Sequence, residues 1–124
     1  MIIAKGSSRK ARVWKNIDVS WEKLESIFSK TRRTVETVEE YKTLPKELQD
    51  NIKDVGGFVG GQLREGKRRN GFVECRTLLT LDMDYGEKNS WEIVKANFQY
   101  TCCIYSTHKH TSEKSRLILI IPLS

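Results

Sequence analysis

Leu78-Leu-Thr-Leu-Asp-Met-Asp-Tyr-Gly86 is an apolar run that ends in two carboxylates and breaks at a glycine, and its reading decides the rest. Side chains along a strand alternate between faces. Leu79, Leu81, Met83 and Tyr85 then share one face, and Leu78, Thr80, Asp82 and Asp84 share the other. Asp82 and Asp84 point the same way, roughly 6.6 Å apart by strand rise. Neighbouring carboxylates repel and raise each other's pKa unless a cation lies between them. Hard divalent ions such as Mg²⁺ take oxygen ligands, often one or two carboxylates together with substrate phosphates. The pair reads as a metal site for phosphate chemistry; a solvated strand end is the plain alternative.

Downstream of this strand, the order is strand, helix, strand, strand. Ser90 is placed to cap a helix with Trp91, Val94 and Phe98 on one face. Tyr100 to Thr107 is β-prone, His108 to Ser115 is a polar loop, and Arg116 to Leu123 is apolar on both faces, as in a strand covered on both sides. The helical crossover predicts that the first two strands run parallel, right-handed, and the short loop makes the last pair antiparallel. Ser106 and His108 then share a face at the end of a strand near Asp82. Arg116, just across the loop, offers a planar fork for phosphate oxygens.

Upstream, Ile2 to Ala4 opens a short strand, and Ser20 caps a helix to about Lys30 whose stripe is Trp21, Leu24, Ile27 and Phe28. Thr34 to Tyr41 is a weaker helix. Pro45 suits the first turn of the next one, with Leu48, Ile52 and Val55 as its buried face. Gly56-Gly57-Phe58-Val59-Gly60-Gly61 reads either as a loop or strand lying against nucleotide or template, or as a helix cap followed by a twisted or bulged strand. It is not a Walker A loop, because no Gly-Lys-Ser/Thr follows. Asn70-Gly71 marks a hairpin turn joining Phe58–Leu63 to Phe72–Asp84.

At 124 residues the chain fits a single domain spanning 1–124. A net charge of +6 suggests an anionic partner, with nucleic acid the usual one. The cations cluster: Lys5, Arg9 and Lys10 lie in an acid-free start, and Arg64, Lys67, Arg68 and Arg69 lie near the hairpin tip. Glu22 to Asp54 is close to balanced and reads as ordinary solvated helical surface. Three cysteines, two of them adjacent, fit neither a disulfide framework nor a zinc-knuckle spacing; reduced thiols in a cytoplasm are the simple reading. No apolar run approaches the roughly 18 residues of a membrane span, so no membrane partner is expected.

Thr80-Leu-Asp-Met-Asp-Tyr-Gly86, Tyr105-Ser-Thr-His-Lys-His-Thr111 and Arg116 to Pro122 together resemble the archaeo-eukaryotic primase, or primase-polymerase, domain. Lys5-Gly-Ser-Ser-Arg-Lys10 and Asp54-Val-Gly-Gly-Phe-Val-Gly-Gly61 are similar to its phage and mobile-element branch, the N-terminal domain of primase-helicases labelled virulence-associated E. The resemblance implies an α+β fold: an RRM-like, mostly antiparallel sheet with helices packed on it. It implies template-directed nucleotidyl transfer in DNA replication, with Asp82 and Asp84 holding Mg²⁺ or Mn²⁺. His108, with Ser106 and Arg116, would bind the triphosphate of a nucleoside triphosphate, and single-stranded template or primer-template DNA would be the second substrate. A third acidic residue on a later strand belongs to that pattern, and none follows Arg116. The expectation is therefore a truncated, N-terminal part of such a domain that works with a helicase module or a second copy of the chain. Two other readings stand beside it. One is a non-catalytic RRM-like nucleic-acid-binding module using Tyr85, Tyr100 and Tyr105 for base stacking. The other is a nicking endonuclease using His108 and His110 as metal ligands.

Overall fold

The computed structural model describes residues 1–123. Thirteen elements divide among three antiparallel sheets and their covering helices. The first sheet has the order β2-β1-β3, from β1 (Ile2–Gly6), β2 (Lys15–Asp18) and β3 (Gly57–Val59). The second pairs β4 (Gly61–Leu63) with β5 (Val73–Arg76) around a 3-10 turn at Arg64–Gly66. The third has the order β6-β8-β7, from β6 (Leu78–Met83), β7 (Cys103–Ser106) and β8 (Leu117–Pro122). The helices are α1 (Trp21–Phe28), α2 (Val38–Thr43), α3 (Lys46–Lys53) and α4 (Ser90–Asn97).

The α+β class and the antiparallel pairing follow the sequence. β6 and β7 run parallel to each other, as expected, but β8 lies between them and pairs with both. The two long strands expected on either side of the Asn70-Gly71 hairpin are each broken once. One node causes both breaks: the Gly60 carbonyl accepts hydrogen bonds from Thr77 N at 2.9 Å and Leu78 N at 3.2 Å. Thr77 Oγ1 also donates to the Ile2 carbonyl, and the Thr77 carbonyl accepts from Leu123 N at 2.9 Å. Thr77 thereby ties all three sheets together. A Cβ on Gly60 would stand 2.7 Å from Leu78 Cβ, so the backbone crossing requires glycine.

One core lies where α1 covers the third sheet: Ile3, Leu24, Leu78 and Ile120 are buried together, flanked by Phe28, Phe58, Tyr105 and Ile118. A second, smaller core holds Ala4, Trp14 and Leu63. Ser20 caps α1 as expected, accepting from Lys23 N at 3.2 Å. The weak second helix starts later than the sequence suggested. Thr37 and Glu40 form a reciprocal capping box, and the two orphan donors this satisfies fix the start at Val38. Ser90 is not a cap: it is the first residue of α4, and its Oγ accepts from Glu87 N at 2.8 Å.

Of the buried face expected for α3, only Ile52 is half-buried. Leu48 is 48% and Val55 57% exposed, while Gln49 is buried at 5%. Gln49 Nε2 donates to the Leu44 and Lys42 carbonyls at 3.0 and 3.3 Å. Its backbone carbonyl accepts from the hydroxyl of Tyr41, itself buried at 1%. Bonding to the backbone of the tight α2–α3 corner draws Gln49 inward in place of the apolar side chains. β8 itself is buried or half-buried along its whole length, on both faces, as its apolar run suggested. On the face opposite α1, Leu79 and Leu81 of the neighbouring β6 remain 42% and 46% exposed.

The Lys5–Lys10 and Asp54–Gly61 stretches form one joint. Asp54 accepts from Ser8 Oγ at 2.6 Å, from Arg9 N at 3.0 Å and from Gly56 N at 3.2 Å. Gly56 has φ 87, left-handed backbone that a side chain resists, and this favours the cap-and-strand reading of the glycine pairs. The Ser8 hydroxyl above all, then the Arg9 amide, holds the Asp54 carboxyl below its ordinary pKa. A depressed folded pKa means the contribution is complete above the unfolded value of about 4 and disappears as pH falls through the folded value. Asp54→Ala is therefore expected to melt lower than wild type at pH 7, with the gap narrowing below about pH 4. Thermal melts from pH 7 to pH 3 check this, and a constant gap would refute it.

Candidate functional site

Asp82 and Asp84 open onto a cavity of about 400 Å³ beside the loop that joins β7 to β8. Asp82 lies opposite Ile118, and Ile118 opposite Tyr105, so all three sit on the sheet face that α1 covers. Tyr105 registers this: burial first, and the Asp82 charge after it, push its phenol above the ordinary value. Asp84 stands in the turn after β6, which is tied down where Gly86 N donates to the Ser115 carbonyl at 3.1 Å. Arg116 faces Asp84 across the cavity mouth, with Nη1 3.7 Å from Oδ1. Both side chains are substantially exposed, so solvent screens this pair heavily.

His108 lines the same cavity. Its Nε2 lies 3.1 Å from Thr34 Oγ1, and its ring packs on Tyr41 with centroids 4.6 Å apart. His108 is thus not a bare loop-edge histidine; the α1–α2 connection and α2 hold it in place. Ser106 does not join it. Ser106 pairs with Leu117 on the sheet face opposite Asp82, and Thr107 lines the cavity in its place. The period-two expectation fails because β7 ends at Ser106 and the chain turns, with His110 N donating to the Thr107 carbonyl at 3.0 Å.

His110 faces its own loop, its Nδ1 accepting the Arg116 amide at 3.1 Å. His108 and His110 thus turn to different partners, Thr34 and the Arg116 amide, and among the described residues no three His, Cys, Asp or Glu side chains converge as ligands. Tyr105 is likewise unavailable as a stacking platform, since it already stacks on Phe28 at 5.2 Å. Tyr85 and Tyr100 are exposed but lie outside the strands.

The helical middle supplies what sequence reasoning missed. Lys46 and Lys53 of α3 line the carboxylate cavity with Lys109. They stand seven residues apart, on one face of a helix, which was the legible signal. Asp50 binds both ammonium groups, at 3.0 and 3.4 Å, and spaces them. Four cations and two carboxylates therefore line the cavity, with Asp50 sharing the charge of Lys46 and Lys53 and Asp84 that of Arg116. The donor set fits Mg²⁺ or Mn²⁺ bound together with a phosphate ligand: two exposed carboxylates leave most coordination positions to water and phosphate. It does not fit a fully protein-ligated ion.

The basic hairpin has its own geometry. The Phe72 ring carries Arg64 and Arg69 at 4.6 and 4.3 Å from its centroid, with Lys67 at 5.8 Å, and Arg68 lies over Trp14 at 5.1 Å. Arg68 and Arg69 line an open cavity of about 700 Å³ with Arg76 and Thr80. Thr80 is two residues before Asp82, on the same strand face, so this cationic groove leads toward the carboxylates. Of the N-terminal cations, Lys5 sits on β1 opposite Lys15 and Phe58 and is exposed, as is Lys10. Arg9 is engaged within the fold, 3.8 Å from Asp50 and 4.0 Å from Asp54.

A small α+β domain whose helices bring cations to a carboxylate-bearing strand is the class these elements define. The chain belongs to the VapE N-terminal domain family, whose model matches residues 1–124. No curated protein and no solved structure matches it. The three cysteines are free thiols, and among the described residues no helix is long and apolar enough to cross a membrane.

Proposed function

We propose that this domain binds a metal–nucleoside triphosphate and serves template-directed nucleotidyl transfer in the DNA replication of a phage or mobile element, as a primase-polymerase does. The observation that carries the reading is the convergence of Asp82, Asp84, His108 and Arg116 on one cavity from separate parts of the chain. Asp82 and Asp84 would hold Mg²⁺ or Mn²⁺, an ion that would supply charge neutralisation at the phosphates and lower the pKa of an attacking hydroxyl. His108, oriented by Thr34 and Tyr41, hydrogen-bonds a phosphate oxygen. Arg116 offers its fork to the same phosphates, and Lys46, Lys53 and Lys109 lower the cost of bringing them there. The groove lined by Arg68, Arg69 and Arg76 takes the DNA strand, its phosphates attracted by charge.

Calorimetric titration of ATP with Mn²⁺ tests the pocket. His108→Ala is expected to weaken binding about tenfold, the size of one charge-assisted hydrogen bond. Because His108 packs on Tyr41, His108→Asn, which keeps a polar side chain, runs beside it with circular dichroism as the fold control. Equal ATP affinity in the wild type and both folded variants would remove the pocket.

A further inference from the structure

A second cavity, of about 420 Å³, shares His108 in its lining with the carboxylate cavity. Arg32, Arg33 and Thr34 of the α1–α2 connection line it, together with Lys53. His108 and Lys53 border both this cavity and the one holding Asp82 and Asp84. A ligand lying along His108 would therefore have carboxylates at one end and guanidinium groups at the other. Most neighbouring cations are already engaged, Lys46 and Lys53 with Asp50, Arg9 with Asp50 and Asp54, and Arg116 with Asp84, while Lys109 lines only the carboxylate cavity. Among the described residues, Arg32 and Arg33 make no ion pair. Two adjacent unpaired guanidinium groups in a concave site suit a phosphate with two or more ionised oxygens.

We infer that Arg32 and Arg33, with Lys53, form the subsite for the terminal phosphate of the nucleoside triphosphate. This rests on the triphosphate reading above and adds a direction to it: the reacting phosphate lies at Asp82 and Asp84, and the far end of the chain passes His108. The shared residues favour one small ligand across both cavities over a separate strand of nucleic acid. Thr34 links the two halves mechanically, because the segment that presents the arginines also holds the His108 ring. The subsite makes recognition depend on phosphate number and only weakly on the base.

The test is titration of the whole chain with ATP, AMP and inorganic tripolyphosphate, each with Mn²⁺. Wild type is expected to bind ATP and tripolyphosphate at least about tenfold more tightly than AMP. Arg32→Gln with Arg33→Gln should weaken ATP and tripolyphosphate by about ten- to a hundredfold and leave AMP unchanged. Arg32→Lys with Arg33→Lys keeps the charge and loses the fork, so it should fall between the two. If the Gln pair binds ATP like wild type while His108→Ala does not, the subsite is overturned and the pocket stands. If the Gln pair loses affinity for a single-stranded oligonucleotide but not for ATP, the arginines serve the nucleic acid and the inference is overturned. Wild type that binds neither ATP nor tripolyphosphate overturns both.

Discussion

Replacing Asp82 and Asp84 together by Asn is expected to abolish the Mn²⁺ dependence of ATP binding. Each carboxylate lost removes a charge-assisted contact worth about 1.5–3 kcal/mol, so the pair corresponds to about a hundredfold or more in affinity for the metal-bound nucleotide. The single variants should differ. Asp84→Asn releases Arg116 from its 3.7 Å partner, and the freed guanidinium offsets part of the loss by meeting the phosphates. Asp82→Asn has no such offset and should weaken binding more. It should also lower the Tyr105 phenol pKa, because the Asp82 charge is one of the causes that raise it, while burial keeps it above the ordinary value. Ultraviolet titration of the phenol reads this without nucleotide. ATP binding that kept its full Mn²⁺ dependence in the folded double variant would reject the metal site.

Ile120→Ala should produce the largest loss of stability, about 2–5 kcal/mol. Ile120 is fully buried at the centre of β8, between Thr80 of β6 and Cys103 of β7, and packs with Leu24 and Leu78. Its removal leaves a cavity in the layer that joins α1 to the sheet. Small domains have about 5–15 kcal/mol in total, so the variant should lose a large share of its folded margin. Ile120→Val, which removes one methylene, should cost about 0.5–1.5 kcal/mol. Urea unfolding of both variants measures the difference; equal midpoints for Ala and wild type would mean that the core lies elsewhere. The consequence reaches the site, because β8 continues from Arg116 and holds the β6 and β7 faces in register.

Local chemistry was legible wherever the determining atoms were close in sequence. Ser20 gave the start of α1, Asn70-Gly71 gave a turn, and alternation put Leu78 inward with Asp82 on the same face. The antiparallel β7–β8 pair followed from its short loop. The family likeness was also visible in the sequence, carried by stretches that the fold then joins: Ser8 and Arg9 meet Asp54 across more than forty residues.

What the sequence by itself determined is the strand segments at Ile2, Leu78, Cys103 and Leu117, the Ser20 cap, the carboxylate pair and the excess of positive charge. Only the tertiary structure decided which groups meet. It broke two long strands at Gly60 and Thr77, because one carbonyl there accepts two amides from a distant segment. It turned Ser106 away from His108, because the strand ended between them. It placed Lys46, Lys53, Arg32 and Arg33 beside His108, although their segment reads as ordinary solvated surface. Periodicity fixes the face on which a side chain stands, through backbone geometry that each segment carries alone. The neighbours across that face depend on how helices and sheets share a core, which is a property of the whole chain.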